Sequence, residues 1–128
     1  MPAAVLDTSI FIARRQGRPL ERPLPDQVSV SVITLAELEL GVLMARDPDT
    51  RSLRLATLTR LREQTTGLPV DDRVVSAFAR LAAGVFAAGR KPRVHDTWIA
   101  ATALAHGAEV WTQDADFTSF RAVDVVRA

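Results

Sequence analysis

Short apolar runs alternate with segments of helical period along this chain. AAVL (3–6) is uninterrupted and apolar, as a buried strand is, and TSIFIARR (8–15) then takes on helical character. GRPLERPLPDQ (17–27) is a connector punctuated by proline. VSVSV (28–32) alternates with a period of two and predicts a second strand, after which TLAELELGVLMA (34–45) switches to helical period. Beyond the turn-forming DPDT (47–50), Leu55, Leu58 and Leu61 mark the apolar stripe of a further helix. GLPV (67–70) predicts a third strand and DDRVVSAFARLAAGVFAAG (71–89) a long helix ending at Gly89. GRKPR (89–93) is a loop, and HDTWIAATALAHG (95–107) is a helix closed by Gly107. EVWT (109–112) reads as the fourth strand and VDVV (123–126) as an edge strand.

Strands alternating with helices predict a three-layer α/β domain around a mainly parallel sheet. There is no internal repeat, low-complexity tract or linker, so residues 1–128 read as one domain. Right-handed crossovers send each helix back antiparallel to its strand, so strand C-termini and helix N-termini share one edge, the edge where such folds bind ligands.

Composition narrows the chemistry. At 128 residues and 48% apolar, the chain is long enough to bury a core without a staple. With no cysteine there is neither a disulfide framework nor a thiolate metal site, which fits a cytoplasmic protein. MPAAVLDTS lacks a basic region followed by a long apolar one, and no run approaches about 18 apolar residues, so no membrane segment or export signal is expected. A net charge of +1 forecasts no partner by itself, but the basic residues cluster at Arg14, Arg15, Arg18 and Arg22 and at Arg90, Lys91 and Arg93. Arg14, Arg15 and Arg93 are the candidates for a phosphate-contacting rim, because a planar guanidinium suits bidentate phosphate contact. Seven aromatic residues (Phe 5, Trp 2, Tyr 0) give no stacking platform for bases.

The acidic residues fall in a pattern. Asp7 follows the first strand, Glu37 lies about one turn into the helix after the second, Asp96 opens the helix before EVWT, and Asp114 and Asp116 follow that strand. Each also suits capping: Asp7 and Asp96 are N-cap types, Thr34-x-x-Glu37 matches a capping box, Asp114 fits a short turn before Phe117, and Asp71 and Asp72 read as caps alone. Caps, however, need not converge. Four ionised carboxylates about 6 Å apart make six repulsive pairs of roughly 3 kcal/mol each at an effective dielectric of about 20. That sum exceeds typical domain stability, so a convergent set must protonate, pair with cations or bind metal. An oxygen-only donor set points to a hard ion, Mg2+ or Mn2+, rather than zinc. Thr8, Ser9 and Thr112 bring hydroxyls to the same edge, either as turn and cap chemistry or for a carboxylate, a metal-bound water or a substrate's phosphate. His95 reads as a helix-entry surface residue, and His106 as a helix C-terminus.

VLDTS (5–9), TLAEL (34–38), HDTWIAATA (95–103) and TQDADF (112–117) together resemble the PIN domain, and especially the VapC toxins of bacterial toxin–antitoxin pairs. The resemblance spans nearly the whole chain in order and spacing. It implies a ribonuclease needing Mg2+ or Mn2+, a toxin homodimer, and a VapB-type antitoxin that blocks the site. The family's acidic set falls on Asp7, Glu37, Asp96 and Asp114, with Asp116 at a position often acidic too. His95 departs from the Asn or Asp common before the third acidic residue. On this reading Asp7 and Asp96 are central ligands, while Glu37 and Asp114 ligate through water or position the nucleophile. The competing readings are a PIN nuclease of RNA processing without an antitoxin, a noncatalytic module whose acidic edge binds a cation or basic peptide, and a phosphotransfer receiver. The last would want a Lys at the acidic pocket, and the single Lys, Lys91, lies in a loop.

Overall fold

The computed structural model describes residues 4–128. Four short strands, β1 (Ala4–Leu6), β2 (Val28–Ser29), β3 (Glu109–Thr112) and β4 (Val125–Arg127), form one sheet in the order β2-β1-β3-β4, and every pair is parallel. The register sets Leu6 opposite Trp111 and Val5 opposite Val110. Helices α1 (Thr8–Arg15), α2 (Val32–Leu43), α3 (Pro48–Gln64), α4 (Asp72–Ala87) and α5 (Val94–Ala105) cover the sheet.

The pleat divides the core in two. Successive strand residues point to opposite faces, so Ala4, Leu6 and Trp111 pack with Ile10, Phe11, Leu38, Val42, Leu58 and Leu61 from α1, α2 and α3. Val5 and Val110 pack instead with Val74, Leu81 and Val85 of α4 and Ile99 of α5. The result is the expected three-layer α/β arrangement. Because β1 is covered on both faces, it reads as a continuous apolar run. Among the described residues no helix is long and apolar enough to cross a membrane. Of the first expected strand, Ala3 lies outside the described residues.

Several expected boundaries shift. VSVSV supplies only a two-residue strand, because the Ser31 hydroxyl accepts the Ile33 amide at 3.0 Å and starts α2 at Val32. The cap is therefore Ser31, and the capping box expected at Thr34 does not form: Thr34 is fully buried inside the helix. GLPV is not a strand but one isolated bridge between Ser31 and Leu68, made by Leu68 N to Val30 O at 2.8 Å and Val32 N to Leu68 O at 3.0 Å. Pro69 has no amide to extend the ladder. Gly67 allows the close approach, since a Cβ there would meet Leu35 Cδ1 at 2.7 Å. Leu58 and Leu61 face the core from α3, but Leu55 is 48% exposed and leaves the predicted stripe. The last strand is Val125–Arg127 rather than 123–126, still at the sheet edge. Asp71 caps α4 through the Val74 amide at 3.1 Å, and Asp72 sits in its first turn.

Candidate active site

The C-terminal edge of the sheet gathers the acidic residues from four separate segments. Asp7 leaves β1 and caps α1, and it is only 4% exposed. Its Oδ2 accepts from the Ser9 amide at 3.3 Å, the Ser9 hydroxyl at 2.7 Å and the Thr112 hydroxyl at 2.8 Å. Thr112 Oγ1 in turn accepts the Asp114 amide at 2.9 Å, and Ser9 Oγ accepts the Gln113 amide at 2.9 Å. Two hydroxyls thus tie the end of β1 to the end of β3 and fix the Asp7 carboxylate, with Oδ1 left outside this network. Of the roles open to Ser9 and Thr112, the bond to a carboxylate is the one observed. Thr8 donates to Glu37 Oε1 at 2.7 Å, linking α1 to α2, while Glu37 Oε2 stands 3.5 Å from His95 Nδ1.

Asp96 lies in the first turn of α5 rather than at its cap; the cap position is Arg93, which makes no side-chain capping bond. The Arg93 guanidinium instead spans three carboxylates. Its Nε is 3.3 Å from Asp96 Oδ2, its Nη1 is 3.2 Å from Asp114 Oδ2, and Nη1 also donates to Asp116. The Thr97 hydroxyl holds the Arg93 carbonyl at 2.6 Å. Asp114 caps the short 3-10 turn Ala115–Ser119 by accepting the Asp116 amide at 2.9 Å. Its expected capping role is present, as is its place at the acidic edge.

Convergence shows in the electrostatics. Burial raises the Asp96 pKa to about 6; Arg93 opposes this, and the charges of Asp7, Asp114 and Glu37 push the same way as burial. Asp96 Oδ2 is buried without a hydrogen-bond partner, since the Arg93 contact lies outside hydrogen-bonding geometry. Arg93 is held above its ordinary pKa, by Asp96 first and then, against its own desolvation, by Asp114 and Asp116. The cluster therefore uses one of the three routes open to a convergent acidic set, pairing with a cation, and Asp96 takes up a proton more readily than an ordinary carboxyl.

The donor set fits a hard divalent cation: it is all oxygen, and it includes one buried carboxylate oxygen that accepts no hydrogen bond and is met only by the Arg93 guanidinium. As the side chains stand, no three His, Asp or Glu groups among the described residues surround a common point. Arg93 lies among them, so loading of an ion requires its guanidinium to move aside. Arg14 and Arg15 are not part of this cluster. They sit at the far end of α1, about 12 Å down the helix from Asp7, and line a separate cleft with Phe11, Thr57, Arg60 and Gln64. The role of Arg93 as counter-ion escaped the sequence reading, although its signal was present: Arg93 and Asp96 stand three apart at a helix entry, a spacing that brings side chains together.

Residues 4–124 match the PIN domain family. The chain is 46% identical to Ribonuclease VapC5 of Mycobacterium tuberculosis, over 98% of this chain and 95% of that protein, and 40% identical to Ribonuclease VapC4 of the same organism over 96% and 95%. The fold superposes with a TM-score of 0.88 and 43% identity on a crystal structure of a member of the VapBC family of toxin–antitoxin systems, VapBC-5 from Mycobacterium tuberculosis, covering 99% of this chain and 100% of that one. With four acidic residues at the sheet edge, each from a segment of the expected spacing, the chain belongs to the PIN domain family, and within it to the VapC ribonucleases.

Proposed function

We propose that the protein is a divalent-metal-dependent endoribonuclease toxin, cleaving cellular RNA and held inactive by a VapB-type antitoxin. The observation that carries this reading is Asp96: a desolvated carboxyl whose buried oxygen accepts no hydrogen bond and faces only the Arg93 guanidinium, raised further by Asp7, Asp114 and Glu37 from three other segments. Asp7, Asp96, Asp114 and Glu37 are the residues that would hold Mg2+ or Mn2+, with Asp116 as an outer donor. Such an ion, when bound, supplies charge neutralisation and polarises water toward a phosphodiester.

The chain's own groups do the rest. Ser9 and Thr112 hold Asp7 in one orientation, so its free oxygen is preorganised. Thr8 fixes Glu37 by its Oε1 and leaves Oε2, which faces His95, to take a proton from the water that adds to phosphorus, while the leaving oxygen takes a proton from solvent as its P–O bond breaks. Arg93, freed from Asp96 and Asp114, carries a guanidinium suited to the phosphate. Arg14 and Arg15 would meet only an RNA that runs back along α1 to their cleft.

The antitoxin and a second copy of the chain have an apolar surface to use. Leu40, Leu43 and Met44 on and just beyond α2 and Leu53 and Leu55 on α3 are 48–68% exposed on adjacent helices. The solved relatives named for VapBC pairs support a bound antitoxin. Asp7→Asn and Asp96→Asn should each lower RNA cleavage in Mg2+ or Mn2+ by at least 100-fold while circular dichroism shows a retained fold, and EDTA should abolish wild-type cleavage. Cleavage that persists in EDTA or in either variant would overturn the metal site.

A further inference from the structure

The loop Gly89-Arg90-Lys91-Pro92-Arg93 between α4 and α5 walls a cleft of about 190 Å3 beside the acidic cluster. Both ends of the loop are fastened. Gly89 turns at φ +78 and the Arg90 amide bonds to Val85 O at 3.1 Å, while the Arg93 carbonyl takes bonds from the Thr97 amide at 2.8 Å and hydroxyl at 2.6 Å. The floor is apolar: Val85 and Phe120 are 6% and 4% exposed. Asp96, Asp116 and the Arg93 side chain line the cleft as well, so it opens onto the candidate active site. Arg90 and Lys91 are exposed and, among the described residues, neither forms an ion pair, in contrast to Arg93 with its three.

Charge and shape together describe one occupant. The space is smaller than the roughly 300–1,000 Å3 of drug-sized pockets, so it admits one sugar or base rather than a whole ligand. Two unpaired cations stand at the rim, an apolar floor lies below, and carboxylates with a third cation line the same cleft. A polyanion laid along Arg90 and Lys91 toward Arg93 brings a phosphodiester to Asp96. An acidic peptide would meet Asp96 and Asp116 instead, with no group of its own to gain from them.

We propose that this cleft is the subsite for the nucleotide adjoining the scissile phosphate of single-stranded RNA, with Arg90 and Lys91 on its phosphate and Val85, Pro92 and Phe120 against its sugar or base. The inference rests on the ribonuclease reading above and adds the side from which the RNA enters. The test compares wild type with Arg90→Gln/Lys91→Gln and, as a control of equal charge loss on the outer face of α4, Arg73→Gln/Arg80→Gln. Binding of a short single-stranded RNA is measured in EDTA across a salt series, and cleavage is measured separately in Mn2+.

The loop variant should weaken binding on the order of 10-fold at 0.1 M salt and flatten the slope of log K against log salt by about 1.4, for two phosphate contacts. Its KM should rise with kcat within twofold, its melting temperature and Mn2+ affinity should stay at the wild-type values, and the control should change none of these. An unchanged slope, or an equal change in the control, overturns the subsite. So does a loop variant that binds RNA normally but loses an acidic protein partner, which would assign the cleft to that partner. The ribonuclease reading is judged apart, on whether the wild type cleaves at all.

Discussion

The carboxyl of Asp96 is poorly solvated: burial raises its pKa to about 6, and Oδ2 has no hydrogen bond to offset the loss of water. An unfolded chain leaves the same carboxyl near its ordinary value of 3.8, so between these values the folded state binds the extra proton. Stability therefore falls as pH rises from about 4 to about 6, is unaffected by this group below that window, and is level above it. Asp96→Asn should remove that slope. Urea unfolding in EDTA at several pH values will read the difference, and parallel curves for variant and wild type would refute the assignment. The same residue shows how far a sequence can be read. The spacing of Asp7, Glu37, Asp96 and Asp114 announced a shared edge, because strand ends and helix starts fix backbone positions. The spacing of Arg93 and Asp96 announced one of the Arg93 contacts, but not that the same guanidinium would reach Asp114 and Asp116, nor which of their open roles Ser9 and Thr112 would take, since side-chain direction is settled by packing.

Elements with strong period were legible, and weak ones were decided by single groups. TSIFIARR is helix α1 residue for residue, and EVWT is β3. VSVSV has the alternation of a five-residue strand, yet one hydroxyl ends it by capping α2. Ser31→Ala should accordingly cost about 1 kcal/mol of stability, read by urea denaturation, with cleavage little changed because Glu37 lies beyond the first turn. A loss of activity without a loss of stability would mean that the cap also positions Glu37. GLPV was misread for a different reason: apolar content suggests a strand, but Gly67 lets the segment nestle against Val32 and Leu35, and Pro69 stops the ladder after one bridge.

At the scale of the whole molecule, helix α3 runs 17 residues but buries only Leu58 and Leu61, while Leu53 and Leu55 stay exposed, as do Leu40, Leu43 and Met44 on and just beyond the neighbouring α2. A surface of that kind is normally covered by a partner. Leu43→Glu/Leu53→Glu should leave the melting temperature of the isolated chain within about 2 °C while reducing its self-association on size exclusion or its capture of a cognate antitoxin. Unaltered assembly in both assays would place the partner surfaces elsewhere.

The parallel sheet also governs timing. Asp7 and Thr112, whose side chains meet at 2.8 Å, are separated by 105 positions, and Leu6 reaches its register only opposite Trp111. Pairings of such long range form late, after the cost of closing the intervening chain has been met. A polypeptide still emerging from the ribosome carries Asp7 and Glu37 early but has no second half of the cluster until β3 exists. The acidic cluster of the finished chain is thus incomplete for most of its own synthesis.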